Sequence, residues 1–145
     1  MRTLTELDTV GVVGAGTMGS GIAQVAATAG YDVIVRDIEQ SLVADGLDSI
    51  DDSLSRLADR DALEEPPETI QGRIAGTTDL SELAEADLVV EAAVEDMEIK
   101  RDIFADLDET VDEDVVLATN TSTLSITTIA AATDRPAQVV GLHFM

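Results

Sequence analysis

Two spacings of apolar residues alternate along this chain. Short aliphatic runs predict strands: Val10 to Val13, Tyr31 to Val35, Arg73 to Thr77, Ala86 to Ala92, Asp114 to Thr119 and Gln138 to Leu142. Between them lie segments with helical spacing. Ile22 to Ala29 continues in good helix formers, and Gly30 fits the cap that ends it. Val43, Leu47, Ile50, Leu54 and Leu57 recur at alternating spacings of four and three, which predicts a long helix with one packed face. Proline cannot continue a helix interior, so Glu64-Glu65-Pro66-Pro67 breaks that helix. Leu80 to Ala84 reads as a short helix, and Asp96 through Leu107 as a longer one with Met97, Phe104 and Leu107 turned inward. Ser125 is placed to cap a helix over Ile126 to Ala132, and Pro136 ends that segment. Met1 to Asp8 is expected to be a short leader.

Strand and helix alternating in this way imply right-handed crossovers and a mostly parallel sheet. The expectation is a single α/β domain over residues 1–145, with a doubly wound sheet. Ligands of such sheets sit beyond the carboxyl ends of the strands. The loops after Val13, Val35, Val90, Ala118 and Leu142 therefore matter most. They carry a glycine-rich turn, Asp37, the stretch from Glu91 to Glu95, Asn120-Thr121-Ser122, and His143.

The glycine-rich turn is the most informative. Gly14-Ala15-Gly16-Thr17-Met18-Gly19 fits G-x-G-x-x-G and stands between a strand and a helix, the context that motif requires. Gly14 permits the tight turn, Gly16 lets a pyrophosphate approach the backbone, and Gly19 lets helix and strand pack closely. Amides at the helix start then face the phosphates, aided by the helix dipole. Asp37 lies near the position of a ribose-binding acid, about twenty residues on. Its carboxylate favours NAD over NADP, because it would repel a 2′-phosphate; Arg36 is the one argument for NADP.

Composition sharpens this picture. Thirty acidic residues against eight basic ones give a formal charge of −22 in 145 residues, and Lys100 is the only lysine. Such a surface argues against nucleic acid or an anionic membrane as partner, and fits a halophilic protein kept soluble by surface carboxylates. With no cysteine and one histidine, disulfides and thiolate chemistry are excluded and a metal cluster has little scope. No apolar run reaches membrane-helix length and the start lacks a signal-peptide core, so the expected location is the cytoplasm.

Four stretches together carry a resemblance: VGVVGAGTMGSGIAQVAATAGYDVIVRD, DLVVEAAVEDMEIKRDIF, LATNTSTLSIT and VVGLHFM. In order and spacing they resemble the NAD-binding domain of the L-3-hydroxyacyl-CoA dehydrogenases, a Rossmann-type fold. The resemblance implies an oxidoreductase of fatty-acid β-oxidation or acetoacetyl-CoA reduction, acting on an acyl-CoA and using NAD. It implies that Gly14, Gly16 and Gly19, with Thr17 and Met18 in the same turn, cradle the pyrophosphate and that Asp37 binds the adenosine ribose. Glu95, Lys100 and Asn120 would lie on the nicotinamide side. Ser122 would hydrogen-bond the substrate's 3-oxygen, and His143 would take the hydroxyl proton while hydride passes to NAD.

The resemblance also implies parts that this sequence lacks. The family orients its histidine with a glutamate beyond Met145, and a C-terminal helical domain closes over the acyl-CoA and makes a homodimer. A piece of a longer chain, able to bind NAD but catalytically incomplete, is therefore expected. The family uses basic side chains for CoA phosphates where Ser41 to Glu68 here is acidic, with mainly Arg56 and Arg60 to offset it. Other readings stay open. Lys100 could pair with Asp96 on a solvated face, Ser122 could satisfy a turn, and His143 could be structural. The domain could be a non-catalytic nucleotide-binding module, or belong to a related hydroxy-acid or sugar-acid dehydrogenase.

Overall fold

A computed structural model describes residues 4–121 and 124–144. Its strands are β1 (Thr9–Val13), β2 (Asp32–Arg36), β3 (Ile74–Thr77), β4 (Leu88–Glu91), β5 (Val116–Thr119) and β6 (Val139–Gly141). They form one sheet in the order β3-β2-β1-β4-β5-β6, with every pairing parallel. The helices are α1 (Thr17–Thr28), α2 (Gln40–Asp59), α3 (Pro67–Gln71), α4 (Met97–Thr110) and α5 (Ile126–Ala130). The expected doubly wound α/β architecture is what forms.

Alternation along each strand divides the core into two layers. Val12, Val33, Val35, Val90 and Ala118 face one side, where they pack with Ile22 and Ala23 of α1 and Ile50 and Leu54 of α2. Val13, Val89, Leu117 and Val139 face the other, against Phe104 and Leu107 of α4 and Ile129 of α5. Both faces are covered, which is why the strands read as nearly continuous apolar runs.

The element boundaries differ from the sequence reading in informative ways. β3 to β6 are shorter than the runs expected for them, because pairing stops where the crossover loops begin, whereas β1 gains Thr9 and β2 is displaced by one residue to Asp32–Arg36. Leu80–Glu85 is a 3-10 turn opened by Asp79, whose side chain accepts from the Ser81 amide at 2.9 Å. The helix expected over Ile126 to Ala132 stops at Ala130, although Ser125 caps its start as expected. Pro66-Pro67 does break the long helix, but Pro67 also starts α3, which was not foreseen. A proline's fixed φ and missing amide suit the first position of a helix as well as they spoil its interior. The supposed leader is tied down at its end: the Asp8 and Thr9 amides both donate to Asp87 Oδ2.

Register sets the geometry of the functional edge. Val13 stands level with Arg36 and Glu91, Arg36 with Thr77, Glu91 with Thr119, and Thr119 with Gly141. The carboxyl ends of all six strands thus form one row. Strand order reverses direction at β1 and β4, so the loops leaving these two strands part and open a crevice.

Candidate cofactor site

The glycine turn occupies that crevice. Gly14 has a φ of +111° and its amide donates to Arg36 O at 2.8 Å, turning the chain sharply off β1. A Cβ on Gly14 would stand 2.7 Å from Ala92 O, and one on Gly19 would stand 1.7 Å from Gly14 O. Neither position admits a side chain. Gly16 differs: a Cβ there would meet nothing within 4 Å, so its backbone borders open space. Gly16 also begins α1 without any side-chain cap, whereas Asp96 and Ser125 cap α4 and α5. A glycine that faces open space at an uncapped helix start is a cradle for an anionic group. Thr17 and Met18 continue the exposed rim of the turn.

Asp37 is bound to this turn. Its Oδ2 accepts from the Ala15 amide at 2.8 Å and its Oδ1 from the Ile38 amide at 2.7 Å. The carboxylate is thus positioned by backbone alone, twenty-three residues after Gly14 in the chain. Arg36 lines the same cleft, and its Nε donates to Thr78 O at 3.1 Å. The cleft has a volume of about 550 Å³, with apolar walls that include Ile38, Leu42, Val94 and Ile99. Gly46 of α2 lines it too; a Cβ there would lie 2.6 Å from Ala15 O. That close approach of α2 to the turn was missed in the sequence, where Gly46 is one more helical residue.

A second depression of about 260 Å³ gathers Met18, Glu95, Asn120, His143 and Phe144. Ala92 and Ala93 line both spaces, so the two are lobes along one sheet edge. Asp37 belongs to the first lobe and His143 to the second. Asn120 Oδ1 accepts from the Phe144 amide at 2.8 Å, which ties the loop after β5 to the segment carrying His143. His143 itself is exposed. Ser122 lies outside the described residues.

Lys100 is where one reading fails. It does not pair with Asp96 on a solvated face; it is fully buried, and its Nζ stands 2.5 Å from Glu91 Oε2 and 3.4 Å from Glu95 Oε1. Asp96 instead caps α4, accepting from the Ile99 amide at 3.0 Å. Glu91, also fully buried, accepts from Thr119 Oγ1 and the Ala93 amide, each at 2.7 Å. Thr121 Oγ1 donates to Glu95. The pairing of Glu91 with Lys100, and the Thr119 hydroxyl that Glu91 also accepts, were not read from the sequence. The available signal was a carboxylate closing an apolar strand, nine residues before the only lysine. No helix among the described residues is long and apolar enough to cross a membrane.

Known proteins match this chain along most of its length. The family model described as "3-hydroxyacyl-CoA dehydrogenase, NAD binding domain" matches residues 9–145. A probable 3-hydroxybutyryl-CoA dehydrogenase of Deinococcus radiodurans is 50% identical over 135 residues, covering 93% of this chain and 49% of that protein. The 3-hydroxyadipyl-CoA dehydrogenase of Escherichia coli is 43% identical over 142 residues, covering 97% of this chain and 30% of that protein. Among solved structures, Mycobacterium tuberculosis FadB2 superposes with a TM-score of 0.93 at 46% identity, covering 96% of this chain and 50% of that one. The chain spans about half the length of the first curated relatives it matches.

Proposed function

Since the chain belongs to the 3-hydroxyacyl-CoA dehydrogenase family, whose NAD-binding domain it forms, we propose that it is the cofactor half of an enzyme interconverting L-3-hydroxyacyl-CoA and 3-oxoacyl-CoA. The observation that carries this reading is the two-lobed cleft, with Asp37 in one lobe and His143 in the other, joined by Ala92 and Ala93. The residues fit the cofactor: an open glycine cradle, a carboxylate fixed beside it, and apolar walls for a flat ring.

When bound, NAD accepts or returns the hydride. This chain's residues do the rest. The turn at Gly14, Gly16 and Gly19, with Thr17 and Met18, holds the pyrophosphate through backbone amides. Asp37 accepts from the ribose hydroxyls. Glu95 and Asn120 border the nicotinamide end, and Lys100 serves it from behind Glu95. His143 takes the proton of the substrate hydroxyl as a general base and returns it in the reverse direction. Ser122 donates a hydrogen bond to the 3-oxygen as its charge changes. The acyl-CoA would be closed in by a helical domain that also pairs two copies, in the cytoplasm.

Calorimetric titration with NADH and NADPH, followed by acetoacetyl-CoA turnover on the same sample, tests this. NADH binding with weak or no NADPH binding and little turnover is the expected outcome. Folded protein that binds neither nucleotide overturns the reading. A second feature supports a setting: the excess of twenty-two negative charges fits a protein that works at high salt, where its self-repulsion is screened.

A further inference from the structure

Glu91 ends the strand next to β1, is fully buried, and has no part in the reading above, on which this inference rests. A carboxylate in such a place is costly unless it is paired and hydrogen-bonded. Glu91 is both. Oε1 takes the Thr119 hydroxyl, and Oε2 takes the Ala93 amide and the Lys100 ammonium. Lys100 in turn stands 3.4 Å from both Ala93 O and Glu95 Oε1.

Two consequences follow for the cleft. The Ala93 residue, which borders both lobes, is held at its amide by Glu91 and at its carbonyl by Lys100. Glu95, whose side chain is 47% exposed at the second lobe, has the buried ammonium behind it and the Thr121 hydroxyl beside it. Val13 is level with Glu91 on the neighbouring strand and Phe104 stands four residues after Lys100 on α4, and both belong to the apolar layer on this side of the sheet. An apolar pair of similar volume there would hold the fold about as well, because desolvation offsets most of a buried pair's attraction. What an apolar pair could not do is direct an ammonium toward Glu95 and a carboxylate toward Ala93.

We propose that Glu91 is a positioning residue for the nicotinamide end of the site: it pins Lys100 beneath the cleft and, through Lys100, sets the Glu95 carboxylate and the Ala93 peptide. The adenosine end, built on Asp37 and the glycine turn, does not depend on it.

The test uses the ratio of affinities for NADH and ADP, since ADP reaches only the adenosine and pyrophosphate end. Glu91→Gln keeps a side chain able to bond Thr119 and Ala93 but removes the charge. It is expected to weaken NADH about tenfold, within the usual coupling range for residues of one network, with ADP affinity unchanged. Leu107→Ala, a cavity in the same helix, serves as the control: its melting temperature falls while the NADH-to-ADP ratio stays at the wild-type value. A Glu91→Gln protein that behaves like Leu107→Ala overturns the proposal. If Glu91→Gln does not fold, Glu91→Gln combined with Lys100→Met leaves no unpaired buried charge and is measured instead. An NADH-to-ADP ratio unchanged in that double variant overturns the proposal equally. Wild-type protein that binds neither nucleotide would overturn the cofactor reading and this inference together, whereas an unchanged ratio in the variants removes only this inference.

Discussion

Before any ligand arrives, Asp37 already accepts from the Ala15 and Ile38 amides. Its carboxylate is therefore preorganised, and a hydroxyl pair meeting it pays little reorganisation. Asp37→Ala is expected to weaken NADH at least about tenfold, the scale of one charge-assisted hydrogen bond. It is also expected to narrow the preference for NADH over NADPH, because the charge that repels a 2′-phosphate is gone while Arg36 remains in the cleft. Fluorescence titration with both nucleotides measures this; an unchanged preference would remove Asp37 from the site. Gly19 works differently, through space alone. Gly19→Ala would drive a methyl to 1.7 Å from Gly14 O, where backbone must move. A loss of about 3 kcal/mol in urea unfolding is expected, at the upper end of overpacking costs.

At the scale of elements, α4 depends on a residue far from it in sequence. Arg135 pairs with Asp108 at 2.5 Å and donates to the carbonyls of Asp108, Val111, Asp112 and Val115. It thus closes the C-terminus of the helix that carries Lys100, where a cation also suits the helix dipole. Removing it leaves a carboxylate and several carbonyls without their donor. Arg135→Ala is expected to cost about 3 kcal/mol in chemical unfolding, and Arg135→Lys to recover only part, since one ammonium cannot span these acceptors.

The hinge between α2 and α3 has a similar clasp with a pH signature. Arg73 binds Glu65 through two bonds of 2.8 and 2.6 Å and also donates to Ala27 O at the end of α1. The hydrogen bonds from Arg73, and then its charge, hold the Glu65 carboxyl below the usual range. A depressed carboxylate stabilises the fold above its unfolded pKa, and this contribution is lost as pH falls through the folded value. Glu65→Gln should therefore melt below wild type at neutral pH and converge with it under acid conditions.

Over the whole molecule, charge is the dominant feature. Thirty acidic residues meet eight basic ones, and α2 illustrates the consequence. Desolvation first, and then the nearby charges of Asp48 and Asp52, push the Asp51 carboxyl upward. A raised carboxylate costs stability at neutral pH, and that cost falls as pH drops through its titration. Salt screens the like-charge part of it. Melting temperature is expected to rise from low to molar sodium chloride, and Asp51→Asn to raise it most at low salt. A melting temperature independent of salt would remove the support for a high-salt setting.

Much of this protein could be read from spacing alone, and the reason is physical. A helix or strand covered by a core must repeat its apolar residues with its own geometric period, so the alternating periods specify the elements and hence the parallel, doubly wound sheet. The turn from Gly14 to Gly19 was equally legible, because its three glycines stand at fixed spacing between a strand and a helix. Gly19 packs on Gly14 within the turn itself, although Gly14 also meets Ala92 of a distant strand end. Asp37 and His143 followed from topology, since every strand delivers its loop to the same edge. Other features depend on contacts between distant segments, which no local pattern encodes. Lys100 could equally be read as a partner of Asp96 on a solvated face until α4 docks and buries it against Glu91, whose other carboxylate oxygen holds Thr119 of the next strand. Gly46 means nothing until α2 settles over Ala15, and Arg135 becomes a helix cap only when β6 brings its approach segment beneath α4. Periodicity determines which face of an element is buried; docking determines which charges are buried with it, and on this edge those charges shape the site.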